Sequence, residues 1–277
     1  MNIKKLIILT MLLLNVMAAG VNAYEVPVCV TVNSNYIKMK NEPFLENGVT
    51  YVPLRFLSDV FEARDVRWNA DTKTATVLYD GNSIAVTENS DIAFVEDKRV
   101  KMNGPAVIRN GSMYVPVRFF AESFGADVSW KQKYYRAEIT KNDITLADNV
   151  VTKRSYDDDH IYWLAKIIHC ESEGESIGGK IGVGNVIVNR VLSDEFPDTI
   201  YNVIFDTKYG VQFQPVINGT IYKEPGGESY MAAKLVLEGE NTAGESLYFL
   251  NPRIATNFWI VNNRVYYTSI GKHDFYL

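Results

Sequence analysis

Cysteine is nearly absent from this 277-residue chain, which has only Cys29 and Cys170. A disulfide-stapled scaffold is thereby excluded, and each folded part must be held by an apolar core of its own. A single bridge between the two is compatible with the sequence, but nothing in the sequence fixes it. Histidine is equally sparse: His160, His169 and His273 are the full set, and no two stand at the i, i+4 spacing of a zinc-binding His-Glu-x-x-His helix. A basic excess is missing too. With 28 Lys and Arg against 33 Asp and Glu the formal net charge is −5, so bulk charge gives no grip on nucleic acid or an anionic surface. Beyond the first residues, no apolar run reaches the roughly 20 residues that a membrane-spanning helix needs.

What is present begins with a three-part leader. Lys4 and Lys5 precede an apolar stretch from Leu6 to Met17, and small residues end in Val21-Asn22-Ala23. That layout predicts a secretory signal over residues 1–23, cleaved before Tyr24, and an exported product without stable membrane insertion. A length near 250 residues after cleavage exceeds what one small core needs and predicts two domains.

Residues 24–143 contain an internal repeat. Asn47-Gly-Val-Thr-Tyr-Val-Pro-Leu-Arg-Phe-Leu returns as Asn110-Gly-Ser-Met-Tyr-Val-Pro-Val-Arg-Phe-Phe, and Val66-Arg-Trp68 returns as Val128-Ser-Trp130. Each unit reads as a strand, an Asn-Gly turn, a helix starting near Leu54 or Val117, and strands around Trp68 to Val77 or Trp130 to Ile139. Tyr51, Phe56, Trp68, Tyr114, Phe119 and Trp130 could form a carbohydrate platform, but repeat-equivalent aromatics are expected to be core. The Tyr-Val-Pro-Leu-Arg-Phe and Phe-Gly-Ala-Asp-Val-Ser-Trp segments resemble the copper amine oxidase N-terminal-like domain. Copper itself is not expected, because residues 24–150 hold no histidine and one cysteine. The implied role is wall attachment or spacing. Residues 144–156 lose periodicity and read as a linker.

From Asp157 onward the pattern is helical. Acidic residues open the segment, and Ile161, Leu164, Ala165 and Ile168 fall at i, i+3, i+4 and i+7, which puts Glu171 at the last turn with Gly174 a candidate stop. A second helix is predicted from Ser176 through Val191, apolar nearly all round from Ile181 to Val188 and therefore central and buried. A carboxylate at a helix C-terminus is disfavoured as an anion, and Glu173 and Glu175 add like charge, so Glu171 is suited to hold a proton as a general acid. Charge and periodicity alone describe a solvated, Glu-rich helix end equally well.

The ordered blocks change that balance. Trp163-Leu-Ala, His169-Cys-Glu-Ser-Glu-Gly-Glu175, Asn189-Arg190-Val, Phe196-Pro197, Gln212-Phe213, Leu247-Tyr-Phe-Leu-Asn-Pro252 and Ile270-Gly-Lys-His273 resemble the successive blocks of the SleB/CwlJ cell wall hydrolase family over residues 157–277. The resemblance implies a lysozyme-like α+β fold with a small β-sheet, preceded by the duplicated α+β repeat domain. It implies lytic transglycosylation of peptidoglycan, with Glu171 as catalytic acid and Glu175 as the second glutamate of the block. Ser172 and Glu173 depart from the usual Ala and Arg. Gln212, Phe213, Tyr248, Asn251 and His273 are the expected substrate-binding residues, and no cofactor or metal is called for.

Three alternatives stay open at this point. A hydrolytic muramidase would use Glu175 as a second carboxylate; a metal-dependent amidase would need two histidines and a glutamate brought together; a wall-binding protein would need no catalysis. The expected partner is peptidoglycan, the expected location the cell wall or spore envelope, and the sequence identifies no accessory protein.

Overall fold

The computed structural model describes residues 24–208 and 210–277. The predicted leader, residues 1–23, lies outside them.

The N-terminal part is sheet-rich. Its strands are β1 (Cys29–Val32), β2 (Asn35–Tyr36), β3 (Phe44–Glu46) and β4 (Val49–Pro53), then helix α1 (Leu54–Val60), β5 (Asp65–Asn69) and β6 (Thr74–Tyr79). The chain continues through β7 (Asn82–Thr87), β8 (Ile92–Val95), β9 (Lys98–Lys101), β10 (Val107–Arg109), β11 (Ser112–Pro116), helix α2 (Val117–Ser123), β12 (Asp127–Lys131) and β13 (Arg136–Thr140). They form sheets of order β12-β13-β1-β2, β10-β11-β4-β3 and β5-β6-β7-β8-β9.

The repeat is visible as a pseudo-twofold. In the antiparallel β4–β11 pair, Val52 faces Val115, its own repeat equivalent, while Tyr51 faces Pro116 and Pro53 faces Tyr114. Both valines are fully buried. Each predicted Asn-Gly turn has positive φ at both residues, 50° and 76° at Asn47-Gly48 and 51° and 73° at Asn110-Gly111, as a two-residue hairpin of primed type requires. Of the six repeat aromatics, Tyr51, Tyr114 and Phe119 are buried and Phe56 and Trp130 half-buried, as expected for core, whereas Trp68 is 48% exposed.

The C-terminal part is helical with a small sheet: α3 (Asp158–Ser172), α4 (Ile177–Leu192), α5 (Ile200–Ile204), α6 (Gln214–Asn218), α7 (Gly227–Leu237), β14 (Tyr248–Leu250), α8 (Trp259–Asn263), β15 (Tyr266–Ile270) and β16 (His273–Tyr276). Asp157 caps α3 by accepting from the His160 N–H, and Ser176 caps α4 by accepting from the Gly179 N–H, each satisfying a donor that the first turn leaves unpaired. Leu164, Ile167, Ile168, Ile181, Val183 and Ile187 are all fully buried where α3, α4 and α7 pack together. Such side chains contribute roughly 1.5–3 kcal/mol each, which carries most of the helices' stability. Gly184 sits where a Cβ would lie 2.9 Å from Ile168 Cδ1 and 2.9 Å from Val236 Cγ2, so only glycine lets α4 come this close to α3 and α7.

The two parts are fastened together. The Arg136 guanidinium on β13 makes a bidentate pair with Asp158 in the first turn of α3, at 2.7 and 3.0 Å, and its side chain is only 11% exposed. Lys234 on α7 is fully buried; its Nζ donates to the Tyr156 hydroxyl at 2.9 Å and lies 3.8 Å from Cys29 Sγ on β1. Cys29 and Cys170 are both free thiols. The polar stretch read as a linker is tied down as well, Lys38 donating its N–H to Val150 and Thr152 donating its own to Tyr36.

Candidate active site

Glu171 occupies the penultimate position of α3. Burial alone pushes its carboxyl up to about 7, which corresponds to a penalty on the charged form of about 3 kcal/mol. No hydrogen bond or ion pair to its side chain is found among the described residues, so nothing there offsets the loss of water. The like-charge contribution expected from sequence is not what raises it. Glu173 is exposed, with its carboxylate 3.9 Å from the His169 ring, and Glu175 is committed elsewhere. Next to the acid, the Cys170 thiol donates to the Thr220 carbonyl at 3.4 Å. One turn earlier, the buried Lys166 ammonium donates to the carbonyls of Tyr222 and Lys223 at 2.9 and 2.8 Å. These three bonds hold the turn at 220–223 against α3.

Glu175 lies in the connection between α3 and α4 with its side chain 7% exposed. Its Oε2 accepts the backbone N–H of Lys272 at 3.1 Å, and its Oε1 lies 3.7 Å from Lys272 Nζ. Gly271 between β15 and β16 has φ +62°, and any side chain there would run into this carboxylate. Lys180 closes the same connection from the other side, donating to the Glu175 carbonyl at 2.5 Å and to Glu228 at 3.0 Å.

His273, next along β16, is buried, packs edge-on to Phe249 at 5.5 Å and leaves Nδ1 without a hydrogen-bond partner. Burial lowers its pKa, so it is neutral at pH 7.

The other expected substrate residues fall into a second group. Phe213 is 4% exposed and belongs to the helical core, so its ring is not free to stack on a sugar. Gln212 donates its side-chain amide to the Gly210 carbonyl at 2.9 Å, and Asn251 accepts the Arg253 N–H at 3.1 Å; both bonds stabilise local turns. The Tyr248 hydroxyl accepts from Arg264 at 2.7 Å. Asn189, expected to be structural, donates to the carbonyls of Gly244 and Ser246.

The residue that joins Phe213 and Tyr248 is Arg190, which the sequence blocks include without assigning it a role. Arg190 on α4 is 6% exposed, donates Nε to the Leu247 carbonyl at 2.8 Å, and lies over Phe196, Phe213 and Tyr248 at 4.9, 5.5 and 5.5 Å. Burial lowers it to about 10, and Nη1 is buried without a partner. An arginine in the last turn of a helix reads from sequence as a solvated end. The available clue was the aromatic company at Phe196, Phe213 and Tyr248, which are far apart in sequence. The histidines, for their part, stand in three separate settings: His160 on Asp157, His169 near Glu173, and His273 against Phe249. Among the described residues no three metal-ligating side chains gather at one place.

Comparison with known proteins gives two family matches. Residues 31–139 match the copper amine oxidase N-terminal domain, and residues 174–276 match the family described as Cell Wall Hydrolase. The second span begins at Gly174, so it takes in Glu175 but not Glu171. A spore cortex-lytic enzyme of Oceanobacillus iheyensis is 35% identical over 127 residues, 46% of this chain and 45% of that protein. One of Bacillus cereus is 37% identical over 120 residues, 43% of this chain and 45% of that protein. The chain thus spans under half the length of these curated relatives. A solved structure, the catalytic domain of the germination-specific lytic transglycosylase SleB from Bacillus anthracis, is 35% identical and is covered completely by 46% of this chain, with a TM-score of 0.42.

Proposed function

We infer that this chain, whose residues 174–276 match the cell wall hydrolase family, is an exported enzyme that cleaves the glycosidic bond between N-acetylmuramic acid and N-acetylglucosamine in peptidoglycan, as a lytic transglycosylase. The observation that carries the reading is Glu171: a half-buried carboxyl without a partner among the described residues, titrating near 7, in the last turn of a helix. Such a group holds its proton at neutral pH and has no competing hydrogen bond to give up on meeting substrate.

The chemistry needs one carboxyl. Glu171 donates its proton to the glycosidic oxygen as the bond to the muramic acid C1 breaks. The resulting carboxylate accepts the proton of the muramic acid C6 hydroxyl, whose oxygen bonds to C1. The products are a 1,6-anhydromuramic end and a free GlcNAc hydroxyl. Glu171 is reprotonated, and no water is consumed. A hydrolytic muramidase would ask Glu175 to activate water or attack carbon. Its engagement with the Lys272 N–H and ammonium favours a supporting role, holding the β15–β16 turn to the connection that follows α3.

The names of the relatives point to spore cortex as the substrate, with the leader at residues 1–23 delivering the protein to the envelope. Mass spectrometry of fragments released from purified peptidoglycan tests the reading. Anhydromuramic ends that vanish in Glu171→Gln are the expected outcome. Reducing ends in their place would turn the assignment to hydrolysis, and an undiminished Glu171→Gln would remove Glu171 from the mechanism.

A further inference from the structure

The two repeat copies differ at equivalent places. In the second copy, Arg118 is committed: it donates to Glu122 at 3.0 Å and to the Val128 carbonyl at 2.7 Å. Trp130 is half-buried, its indole N–H donates to Gln132 at 2.8 Å, and Tyr135 stands edge-on to it at 6.3 Å. In the first copy these supports are gone. Ala70 stands where Gln132 does, and Lys73 where Tyr135 does, with φ 51° against 46° confirming the correspondence. Asp59 replaces Glu122 and is one methylene too short to complete the pair with Arg55. Among the described residues, the Trp68 indole N–H and the Arg55 guanidinium therefore donate no hydrogen bond; Arg55 retains only an electrostatic interaction with Asp65.

Trp68 and Arg55 line a cleft of about 510 Å³ together with Phe56, Lys40, Ile108 and Met113, a volume within the roughly 300–1,000 Å³ of ordinary ligand sites. The cleft is composite. Ile108 and Met113 come from the second copy's β10–β11 hairpin, and Asn41 donates to Ser112 at 2.7 Å across the junction. One wall is aromatic and aliphatic, and the charged lining is Lys40, Arg55 and Arg67 against the single carboxylate of Asp59. Arg67 is paired with Asp65 at 2.7 Å, which leaves Lys40 and Arg55 as cations without an ion-pair partner among the described residues. In a protein of net charge −5, that is a local inversion.

We propose that this cleft is a binding site for an acidic glycan, the carboxylate-bearing strand of peptidoglycan, separate from the catalytic centre and resting on the peptidoglycan reading above. The apolar face of a pyranose stacks on Trp68, the indole N–H donates to a ring substituent, and Arg55 with Lys40 receives a carboxylate attached to the sugar. Duplication made this possible: one copy keeps its tryptophan and arginine satisfied internally, and the other has released the same two residues to a ligand.

The test uses the full chain carrying Glu171→Gln, so that the wall is not consumed, with co-sedimentation on purified peptidoglycan sacculi as the readout. Adding Trp68→Ala or Arg55→Glu should each weaken binding about tenfold. Both side chains are solvent-facing, and thermal unfolding of each variant should match the parent. With Glu171 intact, the same substitutions should leave cleavage of soluble glycan fragments at the parental rate. Unchanged sedimentation in both variants overturns the site while leaving the enzymatic reading intact. Absence of cleavage in the wild type overturns the enzymatic reading, and a loss of sedimentation in the variants would still support the cleft.

Discussion

Glu175 accepts the backbone N–H of Lys272 at 3.1 Å across 97 residues of chain. The connection that follows the acid-bearing helix and the hairpin between β15 and β16 are thus joined through one carboxylate, and Gly271 is the residue whose missing side chain makes room for it. Glu175→Gln keeps an oxygen for the Lys272 N–H and removes only the charge. It should therefore retain most activity, with a loss under about tenfold. Glu175→Ala removes the acceptor of a hydrogen bond whose donor faces solvent, and should lower stability by about 0.5–1.5 kcal/mol in denaturant titration. A loss in Glu175→Gln as deep as that in Glu171→Gln would make Glu175 a chemical participant.

The pH profile of cleavage follows from Glu171. The acid must be protonated when substrate arrives, and its carboxyl titrates near 7. Activity at low substrate should hold below that value and fall above it with an apparent pKa close to 7. In Glu171→Gln the residual rate should be lower by about 10²–10⁴ and lose that alkaline limb.

Stability should also fall with rising pH, over a lower interval. The folded pKa of Glu171 lies above the ordinary carboxyl value of 4.5, so the folded state binds more protons and its stability falls as pH rises through the interval from 4.5 to 7. Below 4.5 the group costs nothing; above 7 the full penalty of about 3 kcal/mol applies. Glu171→Gln should accordingly melt higher than wild type at pH 8, with the gap closing by pH 4. Equal melting temperatures at pH 8 would mean that the carboxylate is solvated after all.

Gly182 on α4 tests the packing of the small sheet against the central helix. A Cβ there would lie 2.8 Å from Cζ of the fully buried Phe275. Alanine gains about 1 kcal/mol of helix propensity over glycine, whereas pushing a rigid ring out of a filled core costs about 1–3 kcal/mol. The second effect should win, and Gly182→Ala should unfold at lower denaturant.

Much of this was legible because it depends on local rules. The acidic start of α3 and its apolar spacing placed that helix to within one residue, Ser176 marked the start of α4, and the duplicated Asn-Gly turns located both hairpins. What escaped was decided by partners distant in sequence. Phe213 reads as a sugar-stacking residue, but Arg190 and the core behind it bury its ring. Trp68 reads as core by analogy with Trp130, and two substitutions elsewhere in the repeat uncover it. The raised pKa of Glu171 was expected, yet its cause is burial, which charges counted along the chain do not reveal. Strands β7 and β8 lie between the duplicated segments, so the repeat carries no signal for them.

The fork between Arg136 and Asp158 gains a further meaning from the helix it grips. Helix α3 is 15 residues long, a rod of about 20 Å; the fork pins its first turn to the N-terminal domain, and Glu171 rides near its far end. A tool clamped at the handle has a fixed reach. A wall strand held in the Trp68 cleft would meet the acid at one set distance, and cuts along that strand would be spaced by the protein's own dimensions.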